Sequence, residues 1–154
     1  MLTVLLSVCL ICGSALPSGG QTPVEEVIRK YENTKGARNF IASGGKMTVA
    51  RKLLRATPVA PIASDVDALA VLKMENAPEN CRILFEADLK QALNAYVYHG
   101  KQSVKKGIVD IYVFVSEQGT VSELVIYNPA IYSLNSLSGN FTAESLLELD
   151  VPEV

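Results

Sequence analysis

The chain has 154 residues, with 14 Lys and Arg against 16 Asp and Glu, which gives a formal net charge of −2 at pH 7. This length suits one domain whose core needs neither a metal nor a disulfide. No basic run is longer than Lys105-Lys106, only 6% of the residues are aromatic and Trp is absent, so nucleic acid is excluded as an expected partner.

Residues 1–20 predict a secretory signal peptide. Their apolar run, LTVLLSVCLIC, has the length of a signal-peptide core and is shorter than the roughly 20 residues that span a bilayer. GSALPSGG follows, so cleavage is expected before Gln21; a buried N-terminal helix is the alternative. The positively charged start of a usual signal peptide is missing, because no Lys or Arg precedes Arg29. A lipoprotein signal is disfavoured, because neither Cys9 nor Cys12 follows the small residue that a lipidation site requires.

Residues 21–154 are therefore predicted to form the mature chain, a single domain without a transmembrane span. Only Cys81 remains in it, which excludes an internal disulfide. PVEEVIRKYENTKG predicts a helix that begins near Pro23 and stops at Gly36, because apolar residues recur at helical spacing behind two first-turn acids. ARNFIAS predicts a strand, KMTVARKLLRATP a short helix, and DALAVLKME either a strand or a short helix.

The clearest helical pattern covers residues 78–95. Its apolar stripe consists of Cys81, Leu84, Phe85, Leu89, Ala92, Leu93 and Tyr96. YVYHG then predicts a strand, and KQSVKKG predicts a loop.

Two runs of period-two alternation flank Gln118-Gly119, a sequence typical of a two-residue hairpin turn. This turn places Val113 opposite Leu124 and Ile111 opposite Ile126. A three-residue turn at 128–130 would continue the meander, with Ile126 opposite Tyr132 and Leu124 opposite Leu134. FTAESLLELD predicts a last helix capped by Thr142.

These elements predict an α+β fold: an antiparallel sheet of about four to six strands, with two or three helices packed on one face. The apolar alternate residues 109, 111, 113, 115, 124 and 126 should meet the helices. The opposite face is expected to be open to water or covered by the Pro-containing connector near residue 60. Its aromatic, acidic and amide side chains form the candidate binding surface, namely Asp110, Tyr112, Phe114, Glu123, Tyr127 and Asn135.

Signatures of catalysis and of cofactor binding are missing from the sequence. His99 is the only histidine and sits beside Gly100 at the start of a basic loop, while Cys81 lies on an apolar helix stripe. Asp110 and Glu123 on neighbouring strands are a candidate carboxylate pair, but they are expected to lie diagonally, as two acids on a solvated face, and Gly44-Gly45-Lys46 lacks the spacing of a phosphate loop. No catalytic residue, cofactor or metal is predicted, and a hydrolase-like enzyme with an unrecognised site remains the alternative.

Four stretches carry a resemblance to a known family: VEEVIRKYENTKGARNFIAS, FEADLKQALNAYVY, SELVIYN and SLSGNFTAESLLEL. Residues 24–150 resemble an uncharacterised family, a domain of unknown function, of small exported proteins and lipoproteins of Gram-negative gut bacteria. The resemblance implies a secreted or periplasmic α+β domain and brings no catalytic residues. The expected function is that of an exported, non-enzymatic binding module that contacts a protein or a component of the cell envelope.

Overall fold

The structure is a computed structural model and describes residues 21–57, 59–147 and 149. The predicted signal peptide, residues 1–20, lies outside this part of the chain. The helices are α1 (Pro23–Tyr31), α2 (Met47–Leu54), α3 (Glu79–Ala92) and α4 (Ala143–Leu147), with 3-10 turns at Gly44–Lys46, Ala60–Asp65 and Leu93–Ala95. The strands are β1 (Arg38–Ser43), β2 (Val66–Lys73), β3 (Val97–Val104), β4 (Gly107–Val115), β5 (Val121–Asn128) and β6 (Ser133–Phe141).

The six strands form one antiparallel sheet in the order β1-β2-β6-β5-β4-β3. Strands β3 to β6 make a meander, whereas β2 joins the meander through β6. This confirms the predicted α+β class and its antiparallel sheet. Within the described residues no helix is long and apolar enough to cross a membrane.

Helices cover both faces of the sheet. We call one the α2 face; it carries Leu69, Val109, Ile111, Val113, Leu124 and Leu137, which join a core with α2, the 3-10 turn Ala60–Asp65 and α4. We call the other the α1–α3 face; it carries Leu72, Tyr112, Phe114, Val125, Tyr127 and Leu134, which join a second core with α1 and α3. The connector at Ala60–Asp65 therefore packs on the α2 face. The expectation that it covers the face carrying Asp110 and Tyr127 is wrong.

The start of α1 shows how local sequence fixes an element. Thr22 caps the helix, since its side chain accepts a hydrogen bond from the Glu25 backbone amide while the Glu25 carboxylate accepts one from the Thr22 amide. Pro23 occupies the first turn, and Val24, Val27, Ile28 and Tyr31 are buried. The helix ends at Tyr31, earlier than the predicted stop at Gly36.

Other predicted elements need smaller corrections. The stretch KQSVKKG is mostly strand, because β3 continues to Val104 and only Lys105-Lys106 form the turn. DALAVLKME is a strand, β2. On α3 the predicted stripe is only partly buried: Phe85 and Leu89 face the core, whereas Leu84 is 59% exposed.

The β4–β5 hairpin has the predicted register but a different turn. Val113 pairs with Leu124 and Ile111 with Ile126, as predicted. The loop contains three residues, because the Ser116 amide donates to the Thr120 carbonyl oxygen and Gly119 takes a left-handed φ of 82°. Phe114 pairs with Glu123 and Val115 with Val121, so Ser122 of β5 is left without a partner on β4, and this bulge accommodates the change of turn length.

The β5–β6 turn contradicts the predicted register. Asn128 pairs with Ser133, so four residues form the turn, and Ile126 lies opposite Asn135 instead of Tyr132. The offset is three positions, and an odd offset exchanges the two faces of a strand. Leu134 consequently lies on the α1–α3 face and Asn135 on the α2 face.

Candidate binding sites on the two faces of the sheet

Five of the six predicted binding residues share the α1–α3 face, and this face is neither bare nor covered by the connector. Asp110 lies opposite Tyr127, and Phe114 lies opposite Glu123, across β4 and β5. Helices α1 and α3 pack over them, because both helices have apolar stripes that need a sheet to bury them. Asn135 lies on the α2 face, because β5 and β6 pair in a different register from the predicted one.

Glu123 lies fully buried beneath the start of α1. Its carboxylate accepts hydrogen bonds from the hydroxyls of Tyr96 (2.5 Å), Ser136 (2.7 Å) and Thr22 (3.0 Å). Burial raises the pKa of Glu123 above its ordinary value, while the three hydroxyl donors act in the opposite direction. This group ties α1 to the sheet and has no surface left for a ligand.

Tyr127 and Phe114 also serve the packing of the helices. The Tyr127 hydroxyl donates to Glu86 Oε1 of α3 at 3.0 Å, and its ring meets Phe85 edge-on, with centroids 6.1 Å apart. Phe114 packs against Tyr96, with ring centroids 5.1 Å apart. Burial raises the pKa of the Tyr127 hydroxyl, so this group stays a protonated donor at ordinary pH.

Asp110 and Tyr112 are the predicted residues that remain accessible on this face. They border an open groove of about 510 Å³ between α3 and the sheet. Lys101 Nζ lies 2.8 Å from Asp110 Oδ1, the Tyr98 hydroxyl donates to the same oxygen at 3.3 Å, and the Tyr98 and Tyr112 rings are 5.3 Å apart. Internal partners thus already engage the Asp110 carboxylate.

A smaller and more enclosed cavity, of about 230 Å³, opens on the α2 face. Strands β2 to β6 form its floor through Leu69, Val71, Asn135, Leu137, Ile126, Val109, Gln102 and Val104. Its roof is the end of α2 and the following connector, through Leu54, Thr57 and Val59. Helix α2 contacts β1 and β2, and three floor residues, Val71, Val104 and Ile126, are only partly buried, so the apolar floor is accessible.

The polar side chains of this cavity are two amides and the Thr57 hydroxyl, which donates to the Leu54 carbonyl oxygen. Gln102 is buried, with 8% of its surface exposed, and Asn135 is half-buried. The buried polar side chains of Glu123, Ser136 and Asn128 have hydrogen-bond partners, whereas among the described residues the two cavity amides and the buried Ser133 hydroxyl have none. None of the side chains that line the cavity is charged.

Sequence reasoning missed this cavity for two identifiable reasons. The sequence predicts a loop at Gln102, although Gln102 and Val104 alternate with Lys101 and Ser103 in the period of a strand. The predicted register puts Asn135 on the wrong face, because the turn after Asn128 is longer than predicted. The alternation at 101–104 is the signal that could have identified the Gln102 position.

The residues considered for catalysis are not brought together. Cys81 is half-buried in the first turn of α3 and packs with the α1–α3 core, whereas His99 is exposed on the edge strand β3. Asp110 and Glu123 lie on neighbouring strands, but the second is enclosed by hydroxyl donors. In the described part of the chain, no group of three or more His, Cys, Asp or Glu side chains is arranged to hold a metal ion.

Comparison with known proteins gives no relative for this architecture. No family model, no curated protein and no solved structure matches the chain. The resemblance to the uncharacterised exported family therefore stays a prediction from the sequence.

Proposed function

We propose that this protein is an exported, non-enzymatic binding module of the cell envelope, and that its ligand site is the cavity on the α2 face. The observation that carries the proposal is an accessible apolar cavity in which two amides lack internal partners. Pockets that bind small molecules are typically apolar with a few polar groups that orient the ligand. The groove beside Asp110 fits less well, because internal partners occupy its polar groups.

The lining of the cavity defines the class of ligand. A charged ligand would lose hydration without meeting an opposite charge, so the ligand is neutral. Amides donate and accept hydrogen bonds, so a ligand with an uncharged polar group can bond to the two cavity amides in place of water. The proposed ligand is a small, mainly apolar molecule with at least one uncharged hydrogen-bonding group, such as an ester, amide or hydroxyl.

Export rests on the sequence of residues 1–20 and on the family resemblance. An apolar run followed by small residues is typical of a secretory signal. The resemblance implies a periplasmic, envelope-associated or secreted location. A binding function in the envelope is compatible with a chain in which residues suited to acid–base or nucleophilic catalysis lie apart.

A cavity-filling variant tests the site. The probe is N-phenyl-1-naphthylamine, a neutral and largely apolar fluorophore with one N–H donor. We expect saturable fluorescence enhancement with the parent protein. Val104→Phe should weaken binding of the probe by about tenfold or more, because the phenyl ring is larger than the valine side chain and would fill part of the cavity.

Ser103→Phe provides the matched control. Ser103 is the exposed neighbour on the same strand and points to the opposite face, so the same ring should leave probe binding unchanged. Circular dichroism verifies that both variants fold. Equal binding by the two variants, or no saturable binding by the parent protein, would contradict the proposed site.

A further inference from the structure

Strand β1 forms one edge of the sheet and leaves its outer side unpaired among the described residues. Five of its six residues are exposed, including Phe40 at 46% and Ile41 at 47%. These two side chains point to opposite faces, so the edge is apolar on both sides. Unpaired backbone groups beside exposed apolar side chains form a template for another strand.

The opposite edge, β3, is protected against such pairing. A bulge between Tyr98 and Gly100 breaks its regular hydrogen-bonding edge, and Lys101 places a charge there. Both are devices by which proteins block edge-to-edge association. Strand β1 has no bulge in its pairing with β2 and contains no proline, and its one charged residue, Arg38, lies at its first position. The regular edge from Asn39 to Ser43 is therefore suitable for pairing.

Helix α2 extends the apolar surface beside β1. The two elements are in contact, and α2 exposes Val49 and Leu53, each at 63% of its surface. These residues are four positions apart and therefore lie on one side of the helix. Phe40 points to the same face of the sheet as α2, and Ile41 points to the opposite face. These four exposed apolar side chains lie on both sides of the free edge and are called the β1–α2 surface; exposed apolar side chains of this kind mark interaction sites.

We propose that the β1–α2 surface binds a second copy of this chain, with the two β1 strands paired antiparallel about a two-fold axis. In an antiparallel pair, directly opposite residues point to the same side of the sheet. A two-fold axis normal to the sheet keeps each face on its own side, so it allows only registers in which the two opposite residues of β1 belong to the same face. One such register places Ile41 opposite Ile41 of the second copy, Phe40 opposite Ala42, and Asn39 opposite Ser43. Apolar residues then meet apolar residues, and polar residues meet polar residues.

The two neighbouring allowed registers are less complementary. One places Phe40 opposite Phe40 of the second copy but pairs Asn39 with Ile41 and Arg38 with Ala42. The other places Ala42 opposite Ala42 but pairs Ile41 with Ser43. This self-complementarity of β1 in the first register is what selects a second copy over an unrelated peptide. The assembled sheet would run continuously through both copies and leave the α2-face cavity, which β1 does not line, free.

Sedimentation equilibrium of the full chain over a range of concentrations tests the pairing. We expect a concentration-dependent dimer, with Ile41→Lys raising the dissociation constant by about tenfold or more, because a charge would enter the apolar centre of the interface. Val97→Lys on β3, at a residue 57% exposed, is the matched edge control and should remain dimeric. A parent protein that stays monomeric, or an Ile41→Lys variant that dimerises equally well, would overturn the proposal.

Cysteine cross-linking tests the register. Under mild oxidation Ile41→Cys should give a covalent dimer on a non-reducing gel, since directly opposite residues lie within the Cα separation of a disulfide. Phe40→Cys should cross-link far less, and the parent protein controls for the three native cysteines. Preferential cross-linking through position 40 would refute the proposed register.

Discussion

Glu123 is an acid that three hydroxyl groups hold beneath the start of α1. In the sequence it alternates with apolar residues in the manner of a solvent-facing position, and this pattern suggested a binding role. The fold instead buries it completely and surrounds it with Thr22, Tyr96 and Ser136. A hydrogen-bonded buried carboxylate links elements that are distant in sequence, at the cost of desolvation.

This burial predicts a pH dependence of stability. Because the pKa of Glu123 is raised above its ordinary value of 4.5, the folded state retains the proton to a higher pH than the unfolded state does. The stabilising contribution of this proton is complete below pH about 4.5 and is lost as the pH rises through the folded-state pKa. In Glu123→Gln, which cannot titrate, this loss of stability with rising pH should disappear.

Urea unfolding between pH 4 and pH 8 measures the effect as the difference in unfolding free energy between parent and variant. Glu117→Gln, in the exposed β4–β5 loop, controls for the removal of one negative charge. Parallel stability profiles for the parent protein and Glu123→Gln would show that Glu123 titrates alike in the folded and unfolded states, against the prediction.

At the scale of elements, the segment between α1 and β1 depends on Gly36. Its φ of 85° is left-handed, and a Cβ at this position would overlap the carbonyl of Asn76 in the loop between β2 and α3. Gly36→Ala should therefore destabilise the fold by about 2 kcal/mol or more, because it adds backbone strain and a steric clash. Thermal or urea unfolding measures the loss.

Gly45→Ala is the matched control, because nothing lies within 4 Å of a Cβ at Gly45, and its φ is not in the left-handed region. We expect it to be close to neutral. If Gly36→Ala were as stable as Gly45→Ala, the close contact between these two loops would be wrong.

Turns explain which parts of the fold could be predicted. The alternation in β4 and β5 fixed the pairs Val113–Leu124 and Ile111–Ile126, and a bulge preserved them when the turn gained a residue. No bulge compensates for the longer turn between Asn128 and Ser133, so β6 presents its other set of side chains. That one difference moved Asn135 to the α2 face. Turn length depends on a few local conformations that periodicity does not encode.

At the scale of the whole molecule, the face of the sheet that each helix covers cannot be predicted from the sequence of that helix alone. Apolar stripes predicted α1, α2 and α3, but a stripe does not specify which face of the sheet buries it. Helices α1 and α3 pack on one face of the sheet and α2 on the other. Of the residues predicted to form a binding surface, Phe114, Glu123 and Tyr127 serve helix packing, and the accessible cavity lies on the face predicted to be covered.

The same topology predicts an order of folding. Strands β3 to β6 follow one another through short turns, whereas β2 pairs with β6 across helix α3 and three intervening strands, as in the pair Val66–Gly139. Closing this long loop costs more chain entropy than forming a hairpin, so the meander should form first.

Val113 in β4 and Val66 in β2 are both buried valines in the α2-face core and make a matched pair. For Val113→Ala we expect a φ-value of about 0.5 or more, and for Val66→Ala about 0.3 or less, from folding and unfolding rates in urea. A higher value at Val66 than at Val113 would mean that the long-range pairing of β2 with β6 precedes the meander.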